Sequence, residues 1–261
     1  MNSKIIIRRP RCGFFSDFLT AIAGIMYCND NSSCAYIDWQ SDMYEGDKEN
    51  LFDSYFKNTI SEDSEFKEEY FEVTPYGYYF IDAANLRSET DIYRFHLKPS
   101  IYMDELNILD NEFIRNIDIK KKFDVSGKVL GVHKRGSDIY RHGNIISDKD
   151  VLNYINEEFR NSSYEKIFLS TDDNNSLDFF KKELGDSLIY TDSLRVSGDI
   201  GVHFSGFDKK EIANNIVTDA VMLSQCDFKL LTKSNVSTFA NIATLDLYNF
   251  RYTDLEVVYT Y

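Results

Sequence analysis

The stretch Lys128-Val-Leu-Gly-Val-His133 is a short apolar run of the kind that forms a strand buried on both faces. Ser147-Asp-Lys-Asp150 follows it, with an acid three residues after the serine, and predicts a helix that runs to about Arg160. The same alternation continues along the chain. It predicts strands at 166–170, 187–190, 228–231 and 245–247, and helices at 174–184, 209–225 and 236–243. Alternation at this spacing indicates βαβ units and a parallel sheet.

The N-terminal half opens in the same way. Ile5-Ile-Ile-Arg8 is predicted to be a strand, Ser16 to cap a helix over 17–28, and 35–39 to be a second strand. We therefore predict an α/β fold with two Rossmann-like domains. The first would span residues 1–120 and the second residues 121–261.

Composition excludes several classes of protein. The chain has 261 residues and a net charge of −14, from 29 Lys and Arg against 43 Asp and Glu. Such a charge disfavours binding to nucleic acid or to anionic lipid. No apolar run approaches the roughly 18 residues of a transmembrane segment, and residues 1–10 do not resemble a signal peptide. The four cysteines form no C-x-x-C pair, so we expect buried thiols, no structural metal and a cytoplasmic location.

The loop that follows the strand at 128–133 is basic in an otherwise acidic protein. It carries His133 and Arg135, with Arg141 and His142 shortly after. Arginine can bind two oxygens of a diphosphate, and Gly136 would let the backbone approach such a ligand. The alternative is a solvated basic loop. Its place at a strand end favours a functional site.

Two further polar sets follow strand ends. Asp172 and Asp173 could accept hydrogen bonds from a nucleoside or hold a divalent metal, or Asp173 could simply cap the next helix. Ser234, Asn235 and Ser237 open a helix, where backbone N–H groups favour an anion, although on the sequence alone an ordinary cap is the better explanation of these residues. In open parallel sheets the carboxyl ends of the strands form the ligand site.

The first turn of the chain is a fourth candidate. Gly13 and Phe14 lie between the first predicted strand and helix, where a glycine lets a ligand lie against the backbone. Neither G-x-G-x-x-G nor G-x-x-x-x-G-K-[ST] occurs, which argues against a dinucleotide oxidoreductase and a P-loop NTPase. No G-x-S-x-G or H-E-x-x-H motif supports a hydrolase.

In this order, these residues resemble the superfamily of α1,6-fucosyltransferases, nodulation fucosyltransferases and protein O-fucosyltransferases. His133-Lys-Arg-Gly-Ser-Asp138 is similar to its H-x-R-R-[TG]-D motif, and 170–173 to its A-T-D-D strand end. The run Asp219-Ala-Val-Met-Leu-Ser-Gln-Cys-Asp-Phe228, with Gly201-Val-His203 before it and a Ser-rich turn after it, is similar to its third region.

The resemblance implies a GT-B-type glycosyltransferase with a cleft between its two domains, of which 1–120 would lie on the acceptor side and 121–261 would bind the nucleotide sugar. It would transfer fucose from GDP-fucose to a glycan hydroxyl with inversion and without a metal or other cofactor. Arg135 would bind the β-phosphate, and this charge suits a diphosphate leaving group. His133, Asp172, Asp173 and His203 would lie at the nucleotide, Ser234, Asn235 and Ser237 would support the diphosphate, and Gly13 and Phe14 would line the cleft.

Two departures from the family pattern remove positive charge. The second arginine is Gly136, and the usual lysine is Ile139; Lys134 or Arg141 could compensate. The general base stays open, and Asp138, His142 and Asp17 are its candidates. We therefore keep three alternatives: a non-catalytic binding protein, a transferase of another nucleotide sugar, and a metal-dependent enzyme with the ion on Asp172 and Asp173. Acceptor contacts are expected from residues 40–80, including Tyr76, Tyr78 and Tyr79.

Overall fold

The computed structural model describes residues 2–8, 12–62, 64–70, 89–137, 145–244 and 249–254. Its strands are β1 (Asn2–Ile7), β2 (Ala35–Trp39), β3 (Phe66–Tyr70), β4 (Lys128–Lys134), β5 (Tyr164–Thr171), β6 (Leu188–Ile189), β7 (Phe228–Leu231) and β8 (Phe250–Tyr252). They form a three-stranded sheet of order β2-β1-β3 and a five-stranded sheet of order β6-β5-β4-β7-β8. Every pairing is parallel, which confirms the predicted α/β class.

Helices connect the strands, as the βαβ pattern predicts. They are α1 (Phe14–Asp30), α2 (Leu51–Tyr55), α3 (Glu89–Glu105), α4 (Glu112–Arg115), α5 (Ile119–Phe123), α6 (Asp148–Asn161), α7 (Asn174–Leu184), α8 (Lys209–Ser224) and α9 (Asn235–Ile242). Ser147 caps α6 as predicted, its Oγ accepting from the backbone N–H of Asp150 at 3.2 Å. In the part of the chain described, no helix has both the length and the apolar character to cross a membrane.

The first helix begins earlier than predicted. Ser16 is not its cap: α1 starts at Phe14 after Gly13, without a side-chain cap. The Phe14 N–H instead donates to the hydroxyl of Tyr44 at 3.1 Å, and the Phe14 ring lies 4.7 Å from the Trp39 ring. Burial of aromatic rings thus extends the helix by one turn. The strand predicted at 245–247 lies outside the described residues, and β8 follows that stretch.

Two clusters of buried apolar side chains form the core of the described part of the chain. The larger joins the two sheets and runs from β1 and α1 through α8 and α9, and the smaller packs α6 and α7 on the five-stranded sheet. In the larger cluster the rings of Phe15 and Phe239 lie 4.3 Å apart. Strands β1 to β3 precede residue 121 and β4 to β8 follow it. The division into domains 1–120 and 121–261 stays a prediction.

Candidate functional site

The sheet order brings three strand ends together. β4 lies between β5 and β7, and His133 is paired with Ser170 on one side and Leu231 on the other. The loops that leave these strands therefore start at the same edge of the sheet. This juxtaposition places the predicted sets around 135, 172 and 234 next to one another.

The loop after β4 is held from both sides. The backbone N–H of Arg135 donates to Thr232 Oγ1 at 2.9 Å, at the end of β7. Asp172, at the end of β5, accepts the N–H of Gly136 at 2.8 Å on Oδ1 and the hydroxyl of Ser137 on Oδ2. Both carboxylate oxygens of Asp172 thus bind the loop that presents Arg135.

Gly136 has no room for a side chain. A Cβ at this position would lie 2.4 Å from the Cβ of Asp173. Asp173 is itself fully buried and caps α7, with Oδ1 accepting from the N–H of Asn175 at 2.9 Å. The loop therefore packs directly on the start of α7 and cannot carry the second arginine of the family motif.

His133 is buried and kept neutral. Its Nδ1 lies 2.8 Å from Ser237 Oγ, and that hydroxyl also lies 2.6 Å from the carbonyl oxygen of Thr232. Burial lowers the pKa of His133 to about 4, the nearby Asp172 opposing and Arg135 adding to the shift. At neutral pH the ring is therefore an uncharged hydrogen-bonding group.

The start of α9 forms the third part of the site. Ser234 caps this helix, its Oγ accepting from the Ser237 N–H at 3.1 Å. The turn before it is fixed because the Lys233 N–H donates to both oxygens of buried Asp254, at 2.9 and 3.0 Å. A helix N-terminus held in this way is suited to an anion such as phosphate.

A buried carboxyl group forms another part of the site. Asp219, on α8, has 7% of its surface exposed, and its Oδ1 accepts from Thr191 Oγ1 at 2.5 Å and Ser193 Oγ at 2.9 Å. Its Oδ2 accepts no hydrogen bond from the residues that the structure describes. Burial raises the pKa of Asp219, and the two hydroxyls and Arg195 oppose that shift.

A cavity of about 570 Å³ connects these parts. Its walls come from the start of α1, the ends of β4, β5 and β7, the loop before α8, and α8 itself. Eight predicted binding residues line it: Gly13, Phe14, His133, Arg135, Asp172, His203, Ser234 and Asn235. Others in its wall are Phe15, Ser16, Tyr44, Ser170, Thr171, Ser193, Leu194, Val202, Phe204, Ile212, Asn215, Ile216, Asp219, Lys233 and Val236.

Some predicted site residues do not reach this cavity. Asp173 and Ser237 are fully buried behind its wall, where they cap α7 and contact His133. Asp17, a candidate base, has 1% of its surface exposed and is not part of the wall. Asp138 and His142, with Ile139 and Arg141, lie outside the described residues, as do Tyr76, Tyr78 and Tyr79.

Lys134 does not supply the missing charge. It is 1% exposed, donates to the Arg135 carbonyl at 2.9 Å and lies 3.6 Å from Asp148, at the start of α6. Side chains alternate along a strand, so Lys134 lies on the opposite face of β4 from His133. Lys233, which the sequence analysis gave no role, is in the cavity wall instead.

Asp219 is the main residue that sequence reasoning missed. It lies on the apolar stripe of α8, three residues after Ile216 and four before Leu223. An acid on a buried helix face costs free energy unless it is hydrogen-bonded or binds a ligand. An acidic residue on an otherwise apolar helix face was therefore the feature of the sequence that could have pointed to Asp219 as a functional residue.

The buried histidines predict a pH-dependent stability. Burial lowers the pKa of both His96 and His133 to about 4, whereas an unfolded histidine has a pKa near 6.5. Between these values the unfolded state binds more protons, so the free energy of unfolding falls as the pH drops from about 6.5 to 4, by roughly 3 kcal/mol per histidine. Asp219, whose pKa is raised, acts in the opposite direction.

Urea unfolding between pH 7.5 and 4.5 measures this loss. His96 is the residue to replace, because it is fully buried on α3 and not part of the cavity wall. A His96→Gln variant should lose less stability over the window than the wild type. Equal losses in the two proteins would show that burial of His96 does not govern the acid sensitivity.

The ends of parallel strands that meet here form the edge at which open parallel sheets bind their ligands. No protein-family model and no curated protein sequence matches the chain. Solved structures of fucosyltransferases do match it in fold. The likeness confirms, at the level of the fold, the resemblance found in the sequence motifs.

Three solved structures illustrate the match. A NodZ alpha-1,6-fucosyltransferase soaked with GDP-fucose is 19% identical, with a TM-score of 0.55 over 94% of this chain and 93% of that one. A selenomethionine NodZ fucosyltransferase from Bradyrhizobium is 17% identical, with a TM-score of 0.54 over 93% and 91%. POFUT1 in complex with GDP is 9% identical, with a TM-score of 0.58 over 97% and 98%. At these identities the match establishes the fold alone.

Proposed function

We propose that the protein is a glycosyltransferase that uses a nucleoside diphosphate sugar, with GDP-fucose as the first candidate, and transfers the sugar to a glycan hydroxyl. One observation carries this proposal: the wall of a single cavity holds a cation, a helix N-terminus and a carboxyl oxygen that accepts no hydrogen bond from the described residues. These groups match the diphosphate and the base of one ligand. The solved fucosyltransferases of the same fold, one soaked with GDP-fucose and one bound to GDP, support the choice of donor.

Arg135 and the start of α9 would bind the diphosphate. Both line the cavity, and the loop that carries Arg135 is bonded to Thr232, two residues before the cap of α9. As the bond to the sugar breaks, negative charge grows on the diphosphate. A fixed guanidinium and helix N–H groups stabilise that charge more in the transition state than in the ground state.

Asp219 would select the base. Guanine presents the adjacent donors N1–H and N2–H, which a carboxylate accepts, whereas adenine and cytosine present a donor beside an acceptor. Leu194, Val202 and Ile216 line the same cavity and would contact the faces of the base. A carboxyl oxygen that accepts no hydrogen bond from the described residues thus gains a partner when a guanine nucleotide binds.

We further propose an inverting, metal-independent reaction in a GT-B-like cleft between the predicted domains. The carboxylates that could have held a metal are engaged: Asp172 binds the 135–137 loop and Asp173 caps α7. No group of three potential metal ligands occurs among the residues that the structure describes.

Asp138 and His142 are the remaining candidates for the base that deprotonates the acceptor. We also keep the cytoplasmic location as part of this proposal.

A second candidate is a binding protein without turnover. Its support is Gly136, where the family motif has a second arginine and where the contact with Asp173 leaves no space for a side chain. Such a protein would bind the nucleotide and release no GDP from GDP-fucose with any acceptor. Release of GDP that depends on an acceptor hydroxyl would exclude this alternative.

Thermal unfolding with GDP, UDP, ADP and CMP, each with and without magnesium, tests the proposed function. Ligand at a hundredfold excess over its dissociation constant stabilises the folded protein by about 2.7 kcal/mol, a rise of roughly 5 to 10 °C in Tm for a chain of this size. We expect this rise for GDP alone and independent of magnesium. A rise that requires magnesium would support the metal-dependent alternative, and no rise with any nucleotide would refute the proposal.

The base preference has its own test in Asp219→Asn. The amide replaces a carboxyl acceptor by a donor, so GDP affinity should fall by about tenfold to a hundredfold, and the preference for GDP over ADP should largely disappear. Asp178→Asn, an exposed substitution on α7, is the matched control and should leave both values unchanged. An Asp219→Asn protein that keeps its full preference for GDP would exclude this residue from base recognition.

A further inference from the structure

The hydrogen of the Ser237 hydroxyl has a defined position. Ser237 Oγ lies 2.6 Å from the carbonyl oxygen of Thr232, and a carbonyl can only accept a hydrogen bond. Ser237 is fully buried, so no water replaces this contact without cost. The hydroxyl hydrogen therefore points to Thr232, and the oxygen turns a lone pair towards its other neighbour.

That neighbour is His133 Nδ1, at 2.8 Å. If Nδ1 were unprotonated, its lone pair would face a lone pair of Ser237 Oγ. The Ser237 hydroxyl could avoid this only by turning to donate to Nδ1, and the Thr232 carbonyl would then lose its hydrogen-bond donor. The hydroxyls of Thr232 and Ser234 lie farther from Nδ1, at 3.3 and 3.4 Å, and do not override the shorter contact. Nδ1 therefore carries the proton and donates to Ser237.

We infer that Ser237 is a positioning residue: its hydroxyl fixes the His133 ring as the tautomer that is protonated at Nδ1. Nε2 then offers a lone pair to the cavity and selects a ligand group that donates a hydrogen bond. His133 is part of the cavity wall, and Nε2 has no hydrogen bond to the described residues. The ligand group is a hydroxyl or an N–H of the bound nucleotide. This choice of ligand depends on the proposed function, whereas the tautomer does not.

The surroundings of His133 preserve this state. Burial holds the pKa of the ring near 4, so the ring stays neutral across the physiological range and does not become a donor at Nε2. The charged groups facing it are Asp172, directly after β5, Lys134 on its own strand, and Arg135 on the loop that follows. A ring of such low basicity accepts a hydrogen bond from the ligand but is a poor general base at neutral pH.

Nitrogen-15 NMR of the histidine rings tests the tautomer in the protein without ligand. The sequence has four histidines, and a His133→Gln variant identifies the signals of His133 by subtraction. In the wild type at pH 7 we expect Nδ1 to be the protonated nitrogen and Nε2 the unprotonated one. The opposite assignment in the wild type overturns the inference, whether or not any serine variant folds.

Two serine variants then show whether Ser237 acts by positioning the His133 ring or only by packing in the core. Ser237→Ala removes the acceptor of Nδ1–H and should shift the ring towards protonation at Nε2, with GDP affinity reduced about fivefold to tenfold. Ser176→Ala is the control: Ser176 is also fully buried in the first turn of a helix, but its hydroxyl binds Asp148 at 2.9 Å. It should change neither the tautomer nor the affinity.

The remaining outcomes each decide the point. An unchanged His133 tautomer in Ser237→Ala, or an equal loss of GDP affinity in both serine variants, refutes the positioning role. If the wild type binds no GDP, the proposed function fails, and the NMR assignment still decides the tautomer by itself.

Discussion

Arg135→Ala should abolish the rise in Tm that GDP causes. The side chain of Arg135 is in the cavity wall, and its backbone N–H bond to Thr232 at 2.9 Å does not need the side chain, so the variant keeps the loop in place. Loss of charge-assisted hydrogen bonds to a diphosphate costs roughly 3 kcal/mol, or about a hundredfold in Kd. Transfer from GDP-fucose should fall at least as far, because the charge on the leaving diphosphate grows in the transition state.

Titration calorimetry with GDP measures the binding loss, and release of GDP from GDP-fucose measures the catalytic one. Arg115→Ala is the matched control, since Arg115 is 65% exposed and lies 3.4 Å from Asp110, away from the cavity wall. The control should bind GDP as the wild type does. GDP binding that survives in Arg135→Ala, with the unliganded Tm unchanged, would remove Arg135 from the site and with it the main support for the proposed diphosphate position.

The fold and the edge of the sheet that carries the site were predictable from periodicity. Short apolar runs alternating with amphipathic segments specify parallel strands, and the carboxyl ends of such strands share one edge. For this reason Arg135, Asp172 and Ser234, which are far apart in the sequence, were predicted at one site and do lie close together at the ends of β4, β5 and β7.

The hydrogen-bond partners of the site residues could not be predicted from the sequence. The contact of Asp172 with the nucleotide stays a prediction; what the sequence did not indicate is that both of its oxygens also accept hydrogen bonds from the 135–137 loop, because β5 lies beside β4 in the sheet. Asp219 was quoted as part of a motif but given no role, although it lines the cavity and its Oδ2 accepts no hydrogen bond from the described residues. Hydrogen-bond partners depend on strand order and side-chain direction, and neither follows from local sequence patterns.

Gly136 explains the most visible departure from the family motif. The 135–137 loop approaches α7 so closely that the Cβ of residue 136 would lie 2.4 Å from the Cβ of Asp173. Real Cβ atoms do not approach to that distance, so the helix start or the loop must move. An arginine at 136 would therefore disrupt the loop that presents Arg135 before it could add charge to the site.

We therefore expect Gly136→Arg to destabilise the protein and not to raise transferase activity. Gly136→Ala isolates the steric part: overpacking at a buried contact should lower the free energy of unfolding by about 1 to 3 kcal/mol. Urea unfolding measures the loss for both variants. Gly13→Ala is the control, since no atom lies within 4 Å of its added Cβ and its φ of −66° suits any residue.

A double-mutant cycle identifies the contact responsible. Asp173→Gly removes the opposing Cβ together with the cap of α7, and by itself should cost about 1 kcal/mol or somewhat more. Combined with Gly136→Ala it should relieve the clash, so that the double variant is at least 1 kcal/mol more stable than the sum of the two single effects predicts. Additive effects would mean that Asp173 does not exclude a side chain at 136. The glycine would then reflect the donor that the site binds and not the space that the fold leaves.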